Sequence, residues 1–168
     1  MHIHLIRKMM SASQIPPLGC MCAEFRRAAR SLSQLYEDAL RPAGLRGTQF
    51  SILQTLSRVG EITQGRLGHI LALDSTTLTR TLAIRGRHGW IKKRRGADRR
   101  EWRIALSSRG EAAYLRGLPL WEGVQARLRQ TLGEEQWQQL LALAKTVTHQ
   151  AIEHQANERQ GKEQGDPS

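Results

Sequence analysis

Apolar residues recur every three or four positions along most of the chain, which is the spacing of amphipathic helices. The pattern predicts a first helix over 25–40, a second that Thr48 caps and Gly60 ends, and a third that begins at Thr63. The third helix should bury three apolar residues, Leu67, Ile70 and Leu71.

A short link leads from the third helix to a fourth, which Asp74 or Ser75 can cap and Gly89 can end. Its apolar side carries Leu78 and Leu82. Two short helices with a tight connection follow the plan of a helix-turn-helix, so this part of the chain is a candidate for nucleic-acid binding.

The spacing of apolar residues changes from helical to alternating after the fourth helix. From Glu101 to Leu106 the large apolar residues Trp102, Ile104 and Leu106 alternate with Glu101, Arg103 and Ala105, which predicts a strand. Residues 90–95 form a plausible partner strand, and residues 96–98 supply the small and turn-favouring residues of a hairpin. The hairpin is strongly basic, with Lys92, Lys93, Arg94, Arg95, Arg99 and Arg100.

Two long helices are predicted after the hairpin. Ser108 and Glu111 form a capping box that opens the fifth helix, which runs to about Leu132 and which Pro119 should bend. Its predicted buried residues are Ala112, Leu115, Leu118, Trp121, Val124 and Leu128. A sixth helix has Trp137, Leu140, Leu141, Ala144 and Val147 on one face. The apolar faces of these two helices are larger than a small module needs for its own core. We therefore expect them to be buried against a second copy of the chain.

The composition narrows the class of protein. A length of 168 residues suits one domain, and 26 Lys and Arg against 15 Asp and Glu give a net charge of +11, which is typical of a protein that binds a polyanion. No apolar run approaches the roughly 18 residues that span a bilayer, and the N-terminus does not resemble a secretory signal. We therefore expect a cytoplasmic protein that does not bind membranes. The presence of only two cysteines fits a reducing compartment.

Two motifs carry a resemblance to a known family. Residues 98–110 match D-x-R-x-x-x-(V/L/I)-x-L-T-x-x-G with Ser107 in place of the threonine, and residues 67–80 are similar to a helix-turn-helix that leads into its recognition helix. Over about residues 22–150 the chain resembles the MarR family of winged helix-turn-helix transcriptional regulators. It departs from the family pattern at Arg85 and Gly86, near the end of the fourth helix.

The resemblance implies a mainly α fold with a small β-hairpin wing and with dimerisation helices at both termini. The expected organisation is a flexible segment over 1–19, a MarR-like domain over 20–155 and a disordered tail over 156–168. Within the domain, the winged helix-turn-helix covers about 48–107 and the dimerisation helices about 22–42 and 108–155.

The candidate DNA-binding residues lie on the fourth helix and the hairpin. A helix that enters the major groove needs short polar side chains near its N-terminus, here Ser75, Thr76, Thr77, Thr79 and Arg80. Capping is the alternative role of the hydroxyls, above all of Ser75. Arginines of the wing suit the minor groove, where Arg100 is the candidate for insertion. Arg94, Arg95 and Arg99 are candidates for phosphate contacts.

The resemblance also implies a role for Asp98, which would hold Arg100 in position; the alternative is an ordinary turn aspartate. In the family a small, often aromatic effector binds between the winged module and the dimer helices, which here suggests Tyr36, Phe50 and Tyr114. Aromatic residues at helical spacing are otherwise core residues.

Cys20 and Cys22 stand two residues apart at the start of the first helix. A thiolate near a helix N-terminus has a lowered pKa and reacts faster, so the pair could sense oxidants or a soft metal. Two cysteines do not complete a tetrahedral metal site, and the alternative is that both only pack or are tolerated. The sequence predicts no bound metal and no cofactor.

The chain lacks the recognisable motifs of hydrolases, metalloproteases and nucleotide-binding enzymes, so we do not expect an enzyme. The predicted function is a homodimeric regulator, a repressor by default, that binds a pseudopalindromic operator in double-stranded DNA. The alternative is a general basic nucleic-acid-binding protein without sequence specificity. Asp98 favours the regulator, because an indiscriminate polyanion binder gains nothing from an acidic residue in its basic hairpin.

Overall fold

The computed structural model describes residues 15–98 and 101–164, with the backbone alone for 83–87 and 158–164. The described part contains six α-helices and one three-stranded sheet, which confirms the mainly α prediction. In chain order the elements are α1 (Met21–Leu40), a 3-10 turn (Arg41–Ala43), α2 (Gly47–Val59), β1 (Ile62–Thr63), α3 (Gln64–Ile70), α4 (Ser75–Arg87), β2 (Ile91–Arg95), β3 (Trp102–Leu106), α5 (Ser108–Leu132) and α6 (Glu134–Gln164).

The chain divides after Leu35 into two compact units. In the first unit, the segment before α1 is bonded to that helix. The Leu18 N–H donates to Glu24 Oε1 at 2.6 Å, and Arg27 Nη1 donates to the Pro16 carbonyl at 2.9 Å. Of the segment 1–19 that is predicted to be flexible, residues 1–14 lie outside the described residues.

The start of α2 differs from the prediction, because Thr48 is not its cap. The chain is extended at Arg46, and the helix begins at Gly47. Two side chains accept from its first N–H groups: Gln49 Oε1 from the Arg46 N–H at 2.8 Å and Glu37 Oε1 from the Gly47 N–H at 2.9 Å. The N–H groups at the start of α2 are thus satisfied by Gln49 of the same helix and by Glu37 of α1. The prediction missed these acceptors because it considered only a hydroxyl side chain at the start of the helix.

The next two helices start close to the predicted residues, Thr63 for α3 and Asp74 or Ser75 for α4. Thr63 Oγ1 accepts from the Arg66 N–H at 3.1 Å and opens α3. Asp74 Oδ1 accepts from the Thr77 N–H at 2.8 Å, so Asp74, and not Ser75, caps α4. The prediction that Ile70 is buried was wrong, since 44 % of this residue is exposed.

The sheet has the order β1-β3-β2, and both pairs are antiparallel. β2 and β3 form the predicted hairpin, with Ile91 opposite Leu106 and Arg95 opposite Trp102. β1 adds Ile62 opposite Ile104. The prediction missed β1 because a strand of two residues has no period to detect.

Two groups of buried side chains form the core. One joins α2, α3, α4 and the sheet through Ile52, Leu56, Ile62, Leu67, Leu78, Leu82 and Ile104. The other joins α2 to α5 and contains Leu40, Leu45, Phe50, Leu53 and Ala113. The predicted burial of Leu78 and Leu82 is confirmed, and it fixes which side of α4 faces outward.

α5 differs from the prediction in its cap and in its buried face. The cap is Ser107, not Ser108: the Ser107 hydroxyl accepts from the Gly110 N–H at 3.0 Å and donates to the Gly89 carbonyl at 2.6 Å. The buried positions are Gly110, Ala113, Gly117 and Val124. Ala112 and Leu115, predicted to be buried, are exposed.

α6 buries Trp137 as predicted, but Leu140 and Leu141 are 44 % and 49 % exposed in the single chain. The helix extends to Gln164, so the tail predicted to be disordered from residue 156 is helical up to that point. Residues 165–168 lie outside the described residues.

Candidate DNA-binding surface

The outward side of α4 is polar. Leu78 and Leu82 are buried, and Thr76 and Arg80 are exposed. At 100° per residue, positions 76 and 80 lie nearly opposite the two leucines. α4 therefore presents Thr76 and Arg80 away from the core, as a recognition helix requires.

The other hydroxyls of α4 have partners inside the module. Thr77 Oγ1 donates to Asp74 Oδ2 at 2.6 Å, and Thr79 Oγ1 accepts from Gln64 Nε2 at 3.0 Å. The hydrogen bonds from Thr77 lower the pKa of Asp74, which keeps the cap charged. Ser75 lines a cleft between α4 and the hairpin. Of the five DNA-binding residues predicted on α4, Thr76 and Arg80 thus point away from the core. The other three, Ser75, Thr77 and Thr79, face neighbouring parts of the module.

One face of the hairpin carries two cations on an indole ring. The Lys93 Nζ lies 4.3 Å and the Arg95 Cζ 4.0 Å from the centroid of Trp102. A cation over an aromatic face is attracted by the ring quadrupole. The sequence pattern predicts only that Trp102 lies on the apolar side of a strand, and it predicts no separate role for Lys93 within the basic hairpin.

The opposite face carries an ion-pair network. Glu61 accepts two hydrogen bonds from Arg94, from Nε at 2.7 Å and from Nη2 at 2.5 Å. These bonds lower the pKa of Glu61 and raise that of Arg94. Arg103 is the second cation of this network: its Nη1 lies 3.8 Å from Glu61 Oε1, and its Nε lies 3.2 Å from Glu101 Oε1. The Glu101 Oε1 atom is buried and accepts no hydrogen bond of good geometry. Glu61 was not predicted as part of the wing, because it follows the second helix and precedes a strand that is too short to detect from the sequence.

The tip of the hairpin is closed at Asp98, whose carbonyl accepts from the Glu101 N–H at 2.9 Å. Arg99 and Arg100 lie outside the described residues. The insertion of Arg100, its support by Asp98 and the phosphate contact of Arg99 stay predictions.

The aromatic residues predicted to line an effector site form a packed cluster. Phe50 is 2 % exposed, and its ring stacks on Tyr114 at 5.5 Å and on Trp121 at 5.9 Å between centroids. Tyr36 is half-buried, its hydroxyl accepts from Gln125 Nε2 at 2.5 Å, and burial raises its pKa. The structure brings the three residues into one region, where their rings fill space as core residues do.

An open cleft of about 630 Å³ lies elsewhere, between α2 and α4. Its lining includes Arg46, Gln49, Ile52, Thr77, Thr81 and His88.

Both cysteine thiols are free and exposed. Among residues 15–98 and 101–164, no three His, Cys, Asp or Glu side chains come together as a metal site would need. In the same part of the chain, none of the helices combines the length and apolar character needed to cross a bilayer.

Comparison with known proteins supports the geometry. Residues 45–102 match the model of the MarR family. An HTH-type transcriptional regulator of Bacillus subtilis, YwoH, is 31 % identical over 91 residues, which are 54 % of this chain and 66 % of YwoH, slightly less than two thirds of that protein.

Two solved structures show the same fold. The transcriptional regulator MosR of M. tuberculosis in complex with DNA is 39 % identical, with 79 % of this chain and 96 % of that chain covered and a TM-score of 0.73. A cysteine-to-serine mutant of MarR from E. coli in complex with operator DNA is 22 % identical, with coverage of 76 % and 92 % and a TM-score of 0.68, which supports the fold alone. The family model, the 39 % identical regulator and the outward polar helix beside a basic hairpin lead to one conclusion: the chain belongs to the MarR family.

Proposed function

We propose that this protein is a transcriptional regulator that binds a pseudopalindromic operator in double-stranded DNA as a homodimer. The observation that carries the proposal is the polar outward side of α4, with Thr76 and Arg80, beside a basic wing. A major groove admits one helix, and an adjacent groove accepts the wing. MosR, 39 % identical, has been crystallised in complex with DNA.

Exposed apolar residues support the homodimer. In the first unit α1 exposes Phe25 and Leu32, and in the second unit α6 exposes Leu140, Leu141 and Leu143. A group of exposed apolar side chains on a helix marks a surface that a partner covers. A two-fold dimer then places its two recognition helices about one helical turn of DNA apart.

The output that we propose is repression in the cytoplasm, relieved by a small-molecule effector or an oxidant. Release requires that the effector prefers a conformation in which the two recognition helices no longer fit successive grooves. The exposed pair Cys20 and Cys22 is the proposed oxidant sensor, and the region of Tyr36, Phe50 and Tyr114 is the proposed aromatic effector site.

The test is a fluorescence-anisotropy titration of the full-length protein with its own upstream DNA and with a scrambled duplex of equal length. We expect a preference for the upstream duplex of roughly a thousandfold or more. Arg100→Ala should remove most of that affinity, whereas Glu122→Gln on α5 should leave it unchanged. Equal affinity for both duplexes, with only salt changing it, would instead identify a general basic nucleic-acid binder.

A further inference from the structure

A side-chain hydrogen bond joins the two helices of the helix-turn-helix. Gln64, the first residue of α3, donates from Nε2 to Thr79 Oγ1 on α4 at 3.0 Å. The helices pack closely one turn further along α3, because a Cβ on Gly68 would lie 3.1 Å from the Leu73 carbonyl oxygen and 3.2 Å from Leu78 Cδ2. Gln64 and Gly68 are four residues apart and so lie on the same side of α3. This packing limits how far the Gln64 amide and the Thr79 hydroxyl can move apart.

Thr79 remains exposed although it accepts this hydrogen bond. At 100° per residue it lies about 60° around α4 from Thr76 and about 100° from Arg80, the two residues that point away from the core. Residues three apart on a helix are neighbours on its surface. Thr79 thus borders the outward side of α4, and a duplex that contacts Thr76 comes within reach of the Thr79 hydroxyl.

The bond from Gln64 determines which hydrogen bond Thr79 can offer to another molecule. A threonine hydroxyl has one hydrogen to donate and two lone pairs that accept. The Gln64 amide occupies one lone pair, which turns the hydroxyl hydrogen away from Gln64 and leaves it for another acceptor. DNA offers such acceptors in its phosphate oxygens and, in the major groove, in the base atoms N7 of purines, O6 of guanine and O4 of thymine.

We propose that Gln64 is a positioning residue for DNA recognition, which orients the Thr79 hydroxyl to donate a hydrogen bond to an acceptor of the DNA. The inference rests on the proposed DNA-binding function. It adds Gln64, which the sequence patterns did not single out, to the residues that support the recognition helix. It also assigns Thr79 a chemical role, that of a donor to a phosphate oxygen or to a base edge.

The contribution of Gln64 to stability should be small. Its Oε1 atom is buried and accepts no hydrogen bond from the described residues. An unpaired buried acceptor costs free energy, and this cost offsets the gain from the bond to Thr79. Gln64→Met keeps the length of the side chain and removes both groups, so it should leave the melting temperature nearly unchanged. A loss of affinity in this variant is then not a consequence of unfolding.

The experiment is a double-mutant cycle in affinity for the upstream and scrambled duplexes. Thr79→Val replaces the hydroxyl by a methyl group and should weaken binding about fivefold, which corresponds to one hydrogen bond of typical net strength. Thr79→Ser keeps the hydroxyl and should retain most of the affinity. Gln64→Met should weaken binding when Thr79 is present and have no further effect beside Thr79→Val, because Gln64 acts through that hydroxyl.

A matched control is Thr131→Val on α5. The Thr131 hydroxyl donates to the Arg127 carbonyl of its own helix at 2.9 Å, so the same chemical change at this position should leave affinity unchanged.

The two duplexes identify the acceptor. A loss in Thr79→Val that is equal for both duplexes assigns a phosphate oxygen, because phosphate contacts carry no sequence information. A loss confined to the upstream duplex assigns an acceptor on a base edge.

Unchanged affinity in Thr79→Val, or an equal loss from Gln64→Met with and without the Thr79 hydroxyl, overturns the inference while the regulator function stands. Equal binding of both duplexes by the wild type overturns the sequence-specific function, and the cycle still decides the inference. If the wild type binds neither duplex, both fail.

Discussion

A methyl group on Gly110 would place its carbon 2.0 Å from the carbonyl oxygen of Trp90. That carbonyl already accepts from the Ser107 N–H at 3.0 Å, so it has little freedom to move. Two residues of the motif at 98–110 therefore have structural roles. Ser107 caps α5, and Gly110 allows the first turn of α5 to pack closely on the chain between α4 and β2.

Gly110→Ala should therefore destabilise the protein by about 1–3 kcal/mol, the usual range for overpacking against fixed atoms. Urea unfolding followed by circular dichroism at one protein concentration measures this change. Gly65→Ala, also in the first turn of a helix but with nothing within 4 Å of the added carbon, is the control and should not destabilise. Equal midpoints for Gly110→Ala and the wild type would contradict the packing argument.

Gly117 permits the close approach of α5 to α2. An added carbon there would lie 2.8 Å from Leu45 and from Phe50, both buried side chains. Gly117→Ala should shift the Phe50 ring and lower stability, whereas Gly123→Ala on the same helix, in open space, should raise it by up to about 1 kcal/mol. Opposite signs in thermal melts are the expected result, and a stabilising Gly117→Ala would refute the close approach.

The cap of α4 should make stability depend on pH. The folded-state pKa of Asp74 is depressed by its bonds with Thr77, so its stabilisation is fully present above the ordinary aspartate pKa and is lost as pH falls through the lowered value. The difference in melting temperature between wild type and Asp74→Asn should be larger at about pH 7 than at about pH 3. A difference that stays constant would show that the charge of Asp74 does not contribute.

Neighbouring threonines of α4 should behave differently. Thr76 is exposed on the outward side, and Thr77 bonds to Asp74. Thr76→Ala should lower operator affinity with little change in melting temperature. Thr77→Val should do the reverse, because it removes the hydroxyl that bonds to the cap. Melting curves and anisotropy on the same preparations separate the two, and a larger affinity loss in Thr77→Val would reverse the assignment.

The cysteine pair should respond to a thiol oxidant such as diamide, which takes two electrons and two protons from the two exposed thiols as a disulfide forms. If oxidation releases the operator, the Cys20→Ser, Cys22→Ser double variant should stay bound, and a reductant should restore binding by the wild type. An unchanged response in the double variant excludes these cysteines as the sensor.

Local patterns predicted much of the fold. The alternation of large apolar residues identified β3, and the spacing of Leu78 and Leu82 identified the buried side of α4. The position of Thr63 before a helical run identified the start of α3. Hydrophobic period and helix capping depend on residues within one or two turns of each other, so a single sequence contains that information.

The features that the sequence did not predict depend on distant residues. Glu37 reaches the start of α2, Glu61 reaches Arg94 across the sheet, and the close approach at Gly117 selects small residues for the buried side of α5. The rings of Phe50, Tyr114 and Trp121 become one packed cluster only when α2 and α5 meet.

By itself, the sequence determined the helices, the basic hairpin and the family resemblance, because each follows from neighbouring residues or from an ordered motif. The tertiary structure decided which cations of the hairpin stand over Trp102 and which pair with Glu61. The physical reason is that the charge a side chain offers to DNA depends on its partners across the sheet, and those partners are set by strand register and by the chain before β1.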